Sequence, residues 1–351
     1  MAENKSYVDV HLVESPHPEI VYRSGLTTYH EALIDGQFVG RGWNGQGYVH
    51  FKWLLFDPSK HPTPQAFWLE IDGQLLHSHW EWNGLTKDES DDNLHVTVAL
   101  KHAVRPIELK VHTLLDGTPV ITRWIEITNT GNAPAALSAA SSWSGVLHTA
   151  SRSENRPGED GPGLIYSIGY MVDHRWGGEG NFQWHTLPYT SYRIDGSYRR
   201  SQHRHPMFVL KNNATGEHFI GQLAWSGGWA FEFDYNHIPV DQHDTQLFFR
   251  AGLDAPAPIL MIGPGETVPT PEMHLGYLNA DFDAAVQAMH NHLRKTVFLP
   301  QPRGRGGWVE VGIGPDENEI TTETALRCVD TAVDIGAEIF FIDASWYNNH
   351  E

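Results

Sequence analysis

The feature that most constrains the fold is a long stretch, from about residue 20 to about residue 280, that consists of short extended segments without a helix of note. Residues 94–100 and 107–114 alternate polar and apolar side chains with period two, as half-buried antiparallel strands do. Asp116-Gly117 is a hairpin signal, and residues 119–128 read as the strand that follows it. Many strands at this spacing, with no helices between them, predict a large two-sheet sandwich rather than a parallel sheet.

The pattern changes at about residue 281. Apolar residues there recur at spacings of three and four, which predicts an amphipathic helix of roughly twelve residues after Asp281. Residues 300–307 form a Pro/Gly-rich linker, and residues 308–313 read as a new strand. We expect the helix and the linker to join two domains.

The C-terminal residues have the pattern of a strand, a helix and a second strand. Leu326, Val329 and Val333 share one helical face, and Gly336 stands where a C-terminal cap belongs. Residues 339–342 then form a run of four apolar residues that ends in Asp343, which is typical of a buried parallel strand with a polar group at its C-terminal end. The segment predicts a right-handed βαβ unit, and active sites of α/β barrels lie at this end of the strands.

Charge and composition exclude several classes of function. The net charge is −19, from 24 basic and 43 acidic residues, which argues against nucleic acid or an anionic membrane as a partner because both require a basic surface. The sequence has no apolar run of about eighteen residues, and its N-terminus lacks the apolar core of a secretory signal. We therefore expect a soluble, cytoplasmic protein. The single cysteine, Cys328, rules out an intramolecular disulfide and is interpreted as a small buried hydrophobe.

The 22 histidines raise the question of a metal site. His77 and His79 form one pair at positions i and i+2, and His203 and His205 form another. No cysteine or clustered carboxylate completes a ligand set, so we predict no metal. The Gly-rich stretches do not follow a strand and open a helix, so no phosphate-binding loop and no cofactor are predicted.

Five segments, taken together and in this order, resemble glycoside hydrolase family 36, the α-galactosidase family. The resemblance covers almost the whole chain from about residue 20, and each motif by itself is weak. The segments are residues 118–131, residues 201–208, residues 225–227, residues 263–272 and residues 341–347.

The resemblance implies a mostly β chain, with a large N-terminal antiparallel β-supersandwich followed by the first βαβ of a truncated (β/α)8 TIM barrel. The expected divisions are residues 1–280 for the supersandwich, residues 281–303 for the helical and Pro/Gly linker, and residues 304–351 for the start of the catalytic barrel. It also implies a retaining hydrolysis of terminal α-galactosides by an Asp nucleophile and an Asp acid/base. In the family both belong to later barrel strands, so no catalytic residue is assigned within this chain.

The resemblance also implies a substrate-binding set at the ends of the first two barrel strands. Asp343 matches the first of two paired aspartates that accept hydrogen bonds from sugar hydroxyls, and Trp346 matches the following tryptophan. Trp308 stands in for an aromatic residue of the first strand. Ala344 replaces the second aspartate, and because a methyl group accepts no hydrogen bond, specificity for galactose is put in doubt.

Alternatives stay open for the site and for the function. Asp343 is also compatible with a helix cap or a satisfied carboxylate, and Trp346 with core packing. A related α-glycosidase, such as an α-N-acetylgalactosaminidase, fits the loss of the second aspartate. The alternative that is not an enzyme is a non-catalytic carbohydrate-binding sandwich. A stand-alone module of that kind does not require a terminal βαβ segment. The expected partner is an oligosaccharide or glycoside, and the family resemblance is compatible with a homo-oligomer.

Overall fold

The structure is a computed structural model whose described parts cover most of the chain, and its contacts divide the chain into two compact units, Met1–Val297 and Phe298–Glu351. It describes residues 7–45, 65–90, 93–151, 165–172, 180–188, 190–197, 204–237, 244–299, 307–313 and 320–343.

Within these ranges the first unit consists of antiparallel strands and one α-helix. The strands are β1 (Val8–Val13), β2 (Glu19–Ser24), β3 (Thr27–Ile34), β4 (Gln37–Asn44), β5 (Trp68–Ile71), β6 (Gln74–Leu75), β7 (Trp80–Ser90), β8 (Asn93–His102), β9 (Ile107–Leu115), β10 (Val120–Asn129), β11 (Ala135–Ser151), β12 (Tyr166–Met171), β13 (Phe182–Thr186), β14 (Ser191–Gly196), β15 (Met207–Asn212), β16 (Glu217–Leu223), β17 (Trp229–His237), β18 (Asp244–Leu253), β19 (Leu260–Ile262), β20 (Thr267–Pro269) and β21 (Met273–Asn279).

Three sheets build the first unit. The largest has the order β13-β12-β15-β16-β21-β10-β9-β8-β7, with β20 also paired to β10. A seven-stranded sheet has the order β14-β17-β18-β11-β5-β6, with β19 also paired to β11, and β1 to β4 form a four-stranded meander. The expectation of a mostly β fold with large antiparallel sheets is confirmed. The four-stranded sheet is an addition to the two sheets that the strand pattern predicted.

The predicted hairpin around Asp116-Gly117 is present. Strands β9 and β10 pair in antiparallel register, and Leu115 lies opposite Ile121. Gly117 has a φ of +83°, a conformation that glycine adopts without steric cost. Strand β8 shows the alternation that the sequence predicted, because every second residue from Leu94 to Leu100 is buried.

One apolar core contains residues from all three sheets. At its centre lies a buried ion pair between Arg123 on β10 and Glu31 on β3, whose side chains are both fully enclosed. Arg123 Nη2 donates to Glu31 Oε2 at 2.5 Å and to Thr113 Oγ1 at 3.2 Å, and the Tyr29 hydroxyl donates to Glu31 Oε1 at 3.0 Å. The guanidinium carbon also lies 4.9 Å from the Trp143 ring centroid. Burial lowers the pKa of Arg123, but the Glu31 charge outweighs this effect and the net shift is upward.

The predicted amphipathic helix is α1 (Phe282–His292), and Asp281 caps it by accepting from the Ala284 backbone N–H at 2.9 Å. A short π-helical turn, Leu293–Val297, continues it. Met289 packs on the outer face of the largest sheet, in a second apolar cluster with Val120, Val209 and Ile220. The helix is therefore part of the first compact unit. Most of the Pro/Gly-rich segment, residues 300–306, lies outside the described residues.

The second unit contains a βαβ segment, as predicted: β22 (Glu310–Ile313), α2 (Thr322–Asp334) and β23 (Ile339–Ile342), with the two strands parallel. Thr321 caps α2, and Gly336 follows it at a φ of +80°. The apolar face of α2 is not covered as a packed helix would be. Leu326 and Val333 are 60% and 68% exposed, because the described residues of this unit provide only two strands for the helix to pack on.

Candidate functional site

The candidate site lies at the carboxyl end of the parallel strand pair in the second unit. Asp343 directly follows β23, and its backbone N–H donates to the Ile313 carbonyl at the end of β22, at 2.9 Å. The Asp343 side chain is exposed. A carboxylate at this edge of a parallel sheet can accept hydrogen bonds from a ligand, because ligand sites of α/β folds form outside the carboxyl ends of the strands.

Local sequence explains why Asp343 reaches this position. A capping box between Thr321 and Thr324 begins the connecting helix, and the left-handed backbone of Gly336 ends it. The backbone N–H of Gly336 donates to the Val333 carbonyl at 3.0 Å. The chain then continues as β23, and Asp343 follows this strand. Because β22 and β23 are parallel, Asp343 lies at the same edge of the two-stranded sheet as the carboxyl end of β22.

Trp308 does not lie beside Asp343. The strands are parallel and Ile313 pairs with Ile342, so Asp343 is at the carboxyl end while Trp308 precedes the amino end of β22. Ile313 lies five positions after Trp308, which corresponds to roughly 16 Å along a strand. Trp308 is half-buried, and its role in binding stays a prediction. Trp346 and Ala344 lie outside the described residues.

A cavity of about 560 Å³ on the seven-stranded sheet is a second place where polar side chains gather. Arg250 Nε donates to Glu232 at 2.7 Å, and its guanidinium carbon lies 4.2 Å from the Trp68 ring centroid. Arg193 donates to Glu232 at 2.5 Å and lies 2.7 Å from Asp254. Because these charges are paired with one another and one face of Trp68 is covered, a ligand here would have to displace existing contacts.

A buried Asp–His pair joins α1 to the hairpin of the largest sheet. His292 Nδ1 lies 2.8 Å from Asp116 Oδ2, and both side chains are fully enclosed. His274 Nδ1 lies 2.9 Å from His292 Nε2 and 3.0 Å from the Thr122 hydroxyl. Burial raises the pKa of Asp116, but the hydrogen bond and charge of His292 outweigh it and the net shift is downward. A pair without solvent access cannot contact a substrate, so its role is to attach the helix.

Burial, and after it the charge of the neighbouring His292, lower the pKa of His274 to about 3. No local pattern in the sequence indicates this cluster, because Asp116 and His292 are 176 positions apart. Only the folded sheet and helix bring them together.

Among the residues that the structure describes, no group of three or more His, Cys, Asp or Glu side chains is arranged to hold a metal ion. His203, a member of one histidine pair, lies outside them. In the same part of the chain no helix is long and apolar enough to cross a membrane.

Comparison with known proteins relates the chain to α-galactosidases. No known family model matches it. Alpha-galactosidase 1 from Pediococcus pentosaceus is 24% identical over 262 residues, which cover 73% of this chain and 33% of that protein.

Solved structures show the same fold. The family 36 α-galactosidase AgaB from Geobacillus stearothermophilus has a TM-score of 0.71 at 16% identity, over 97% of this chain and 51% of its own. The galactosidase domain of the α-galactosidase-sucrose kinase AgaSK has a TM-score of 0.74 at 15% identity, over 97% and 52%. The α-galactosidase from Lactobacillus brevis has a TM-score of 0.71 at 14% identity, over 96% and 50%.

The chain spans about half the length of these solved structures and a third of the curated relative. It is α-galactosidase-like, and its fold is that of part of a family 36 α-galactosidase. The resemblance that the five sequence segments indicated is therefore confirmed.

Proposed function

We propose that this chain is the N-terminal part of a retaining α-glycoside hydrolase that acts on terminal α-galactosides. The observation that carries the proposal is the fold match over nearly the whole chain, together with the order of large antiparallel sheets followed by a βαβ segment. The position of Asp343 at a strand's carboxyl end supports it, since barrel enzymes bind substrate at that end.

In the proposed mechanism two aspartates flank the anomeric carbon, roughly 5 Å apart as retaining chemistry requires. One attacks the anomeric carbon to form a covalent glycosyl-enzyme, and the other protonates the leaving oxygen and then activates water. We place both on later barrel strands beyond residue 351. In this scheme Asp343 orients the sugar by accepting hydrogen bonds from its hydroxyls, and this chain by itself hydrolyses nothing.

The substrate class is proposed by analogy with relatives. Structures of the Geobacillus stearothermophilus α-galactosidase AgaA contain raffinose, stachyose or 1-deoxygalactonojirimycin. An oligosaccharide with a terminal galactose is therefore the first substrate to assay. Ala344 removes one acceptor beside Asp343, so a sister specificity such as an N-acetylgalactosaminide is the second candidate, because the missing side chain leaves space for a larger substituent.

Binding of 1-deoxygalactonojirimycin tests the role of Asp343. We expect Asp343→Ala to weaken binding about tenfold or more, because a hydrogen bond to a charged group is worth about 1.5–3 kcal/mol. Calorimetry on the 351-residue chain measures the affinity, and a thermal melt confirms that the variant folds.

Asp330→Ala is the matched control, because Asp330 is also an exposed aspartate of the second unit but lies on the helix. Its affinity should equal that of the unchanged chain. Equal affinities for the unchanged chain and Asp343→Ala would remove Asp343 from the proposed site.

A further inference from the structure

A second cavity lies on the outer face of the largest sheet, beside the start of α1. Its volume is about 520 Å³, within the range of small-molecule sites. All of its lining residues belong to the first unit, among them Ser167, Trp184, Lys211, Asn213, His218 and Asp281.

Strand register aligns the floor of this cavity. Ser167 on β12 lies opposite Lys211 on β15, and Lys211 lies opposite His218 on β16. The three side chains therefore form a row across adjacent strands on one face of the sheet. On that face, Val209 and Ile220 are covered by α1. His218 itself is buried, whereas Ser167 and Lys211 are partly exposed and leave polar groups accessible next to the helix.

An exposed tryptophan forms one wall. Trp184 on β13 is 41% exposed, and its ring is held edge-to-face by Phe182 at 5.4 Å and by Phe282 at 5.5 Å between centroids. Gly169 lies opposite Trp184 in the register. A Cβ at Gly169 would come within 2.3 Å of the Phe182 ring and 3.0 Å of Trp184. The absent side chain lets both rings lie against the strand, so Trp184 is fixed before any ligand arrives.

The polar groups around the tryptophan are of several kinds and nearly balanced in charge. Asn213 Nδ2 donates to the Ser167 hydroxyl at 2.9 Å, which orients both groups. Lys211 provides an ammonium group, and Asp281 provides a carboxylate at the rim. With one cation and one anion in the lining, the cavity does not favour a phosphate.

We propose that this cavity binds a neutral hexopyranose unit of a glycan. A pyranose has an apolar C–H face that packs on an aromatic ring, and a rim of hydroxyls that both donate and accept hydrogen bonds. Trp184 supplies the ring, while Lys211, Asn213 and Ser167 supply the hydrogen-bonding partners. The site breaks no bond. It goes beyond the proposed hydrolysis, because it would hold a glycan at the sandwich independently of the barrel.

The test measures the binding of two probes. Binding of methyl α-D-galactoside is measured by saturation-transfer NMR titration, and binding of galactomannan by retardation of the protein in gels that contain it. All proteins carry Asp343→Ala, so that only the sandwich site is measured. We expect Trp184→Ala to weaken binding about tenfold and to abolish the retardation. Trp225→Ala is the matched control, because Trp225 is 44% exposed and lies outside the cavity; its binding should be unchanged.

Lys211→Met keeps the aromatic wall and removes one donor, so it tests the site even if Trp184→Ala fails to fold. We expect several-fold weaker binding of the methyl glycoside. The proposal is overturned if the Asp343→Ala protein binds neither probe, if Lys211→Met binds like its parent, or if Trp225→Ala weakens binding as much as Trp184→Ala. If a version extended through the downstream residues hydrolysed no α-glycoside while the 351-residue chain passed this test, the proposed hydrolysis would fail and the cavity proposal would stand.

Discussion

At the residue scale, the buried histidine cluster makes stability depend on pH. In the folded chain the pKa of His274 is about 3, mainly because the ring is buried, whereas in the unfolded chain it is about 6.5. Below about pH 6.5, His274 therefore binds a proton in the unfolded state but stays neutral in the folded state. Stability from this group is complete above that pH and is lost as the pH falls.

We expect His274→Gln to flatten the pH dependence of stability. Between pH 6.5 and pH 5 the unchanged chain should lose up to about 2 kcal/mol more of its free energy of unfolding than the variant. Urea unfolding at several pH values measures the difference. The groups that face His274 are Thr122, His292, Asp116 and, 3.8 Å away, the exposed Glu272. If both proteins lost stability in parallel, the Glu272 carboxylate would be compensating for the burial.

Sequence reasoning succeeds at this scale where the signal is local. The cap at Asp281, the turn glycine at 117 and the terminating glycine at 336 each depend on backbone geometry within a few residues. The Arg123–Glu31 pair spans 92 positions. No nearby residue indicates which carboxylate will meet the arginine in the core, so this contact could not be predicted.

At the element scale, helix α1 is held to the sheet by its own apolar residues. Met289 is 4% exposed and packs with Val120, Val209 and Ile220. We expect Met289→Ala to lower the free energy of unfolding by about 2–5 kcal/mol, because it removes buried methylene groups and leaves a cavity. Chemical denaturation of the first unit measures the change.

Gln287→Ala is the control for this prediction. Gln287 is exposed on the same helix, and glutamine and alanine differ little in helix propensity. Its free energy of unfolding should change by less than about 0.5 kcal/mol. A small effect of Met289→Ala would mean that the helix contributes little to the first unit and acts chiefly as a connection.

The two helices show what a hydrophobic pattern can and cannot predict. Both α1 and α2 were predicted from the spacing of apolar residues, because that spacing sets one face of a helix. The pattern does not say which neighbours will cover the face. In α1 the sheet covers it, whereas in α2 Leu326 and Val333 stay exposed. The same limit applies to Trp308, whose position at the amino end of β22 follows from where the strand begins.

At the scale of the whole molecule, the number of short extended segments and the lack of helices between them predicted a mostly β fold. They did not predict which strands pair in each sheet. Strand β10 pairs with its hairpin partner β9 and also with β21, and Arg123 lies opposite Met273. The hairpin is local and was predicted. Pairing with β21 closes a loop of about 150 residues, and its register is set by burial of one face rather than by any turn. The resemblance to a known family predicted that a β-sandwich is followed by a βαβ segment of a barrel. It did not predict the order of strands within the sheets.

The measurement that tests the central claim most directly is hydrolysis of p-nitrophenyl α-D-galactoside by two proteins: the 351-residue chain and a version extended through the downstream residues of its reading frame. We predict no turnover by the 351-residue chain and turnover with retention of anomeric configuration by the extended one. In the extended protein Asp343→Asn should reduce kcat/KM about tenfold or more, since a hydrogen bond to the sugar is lost. Turnover by the 351-residue chain, or none by the extended chain on any α-glycoside, would contradict the account.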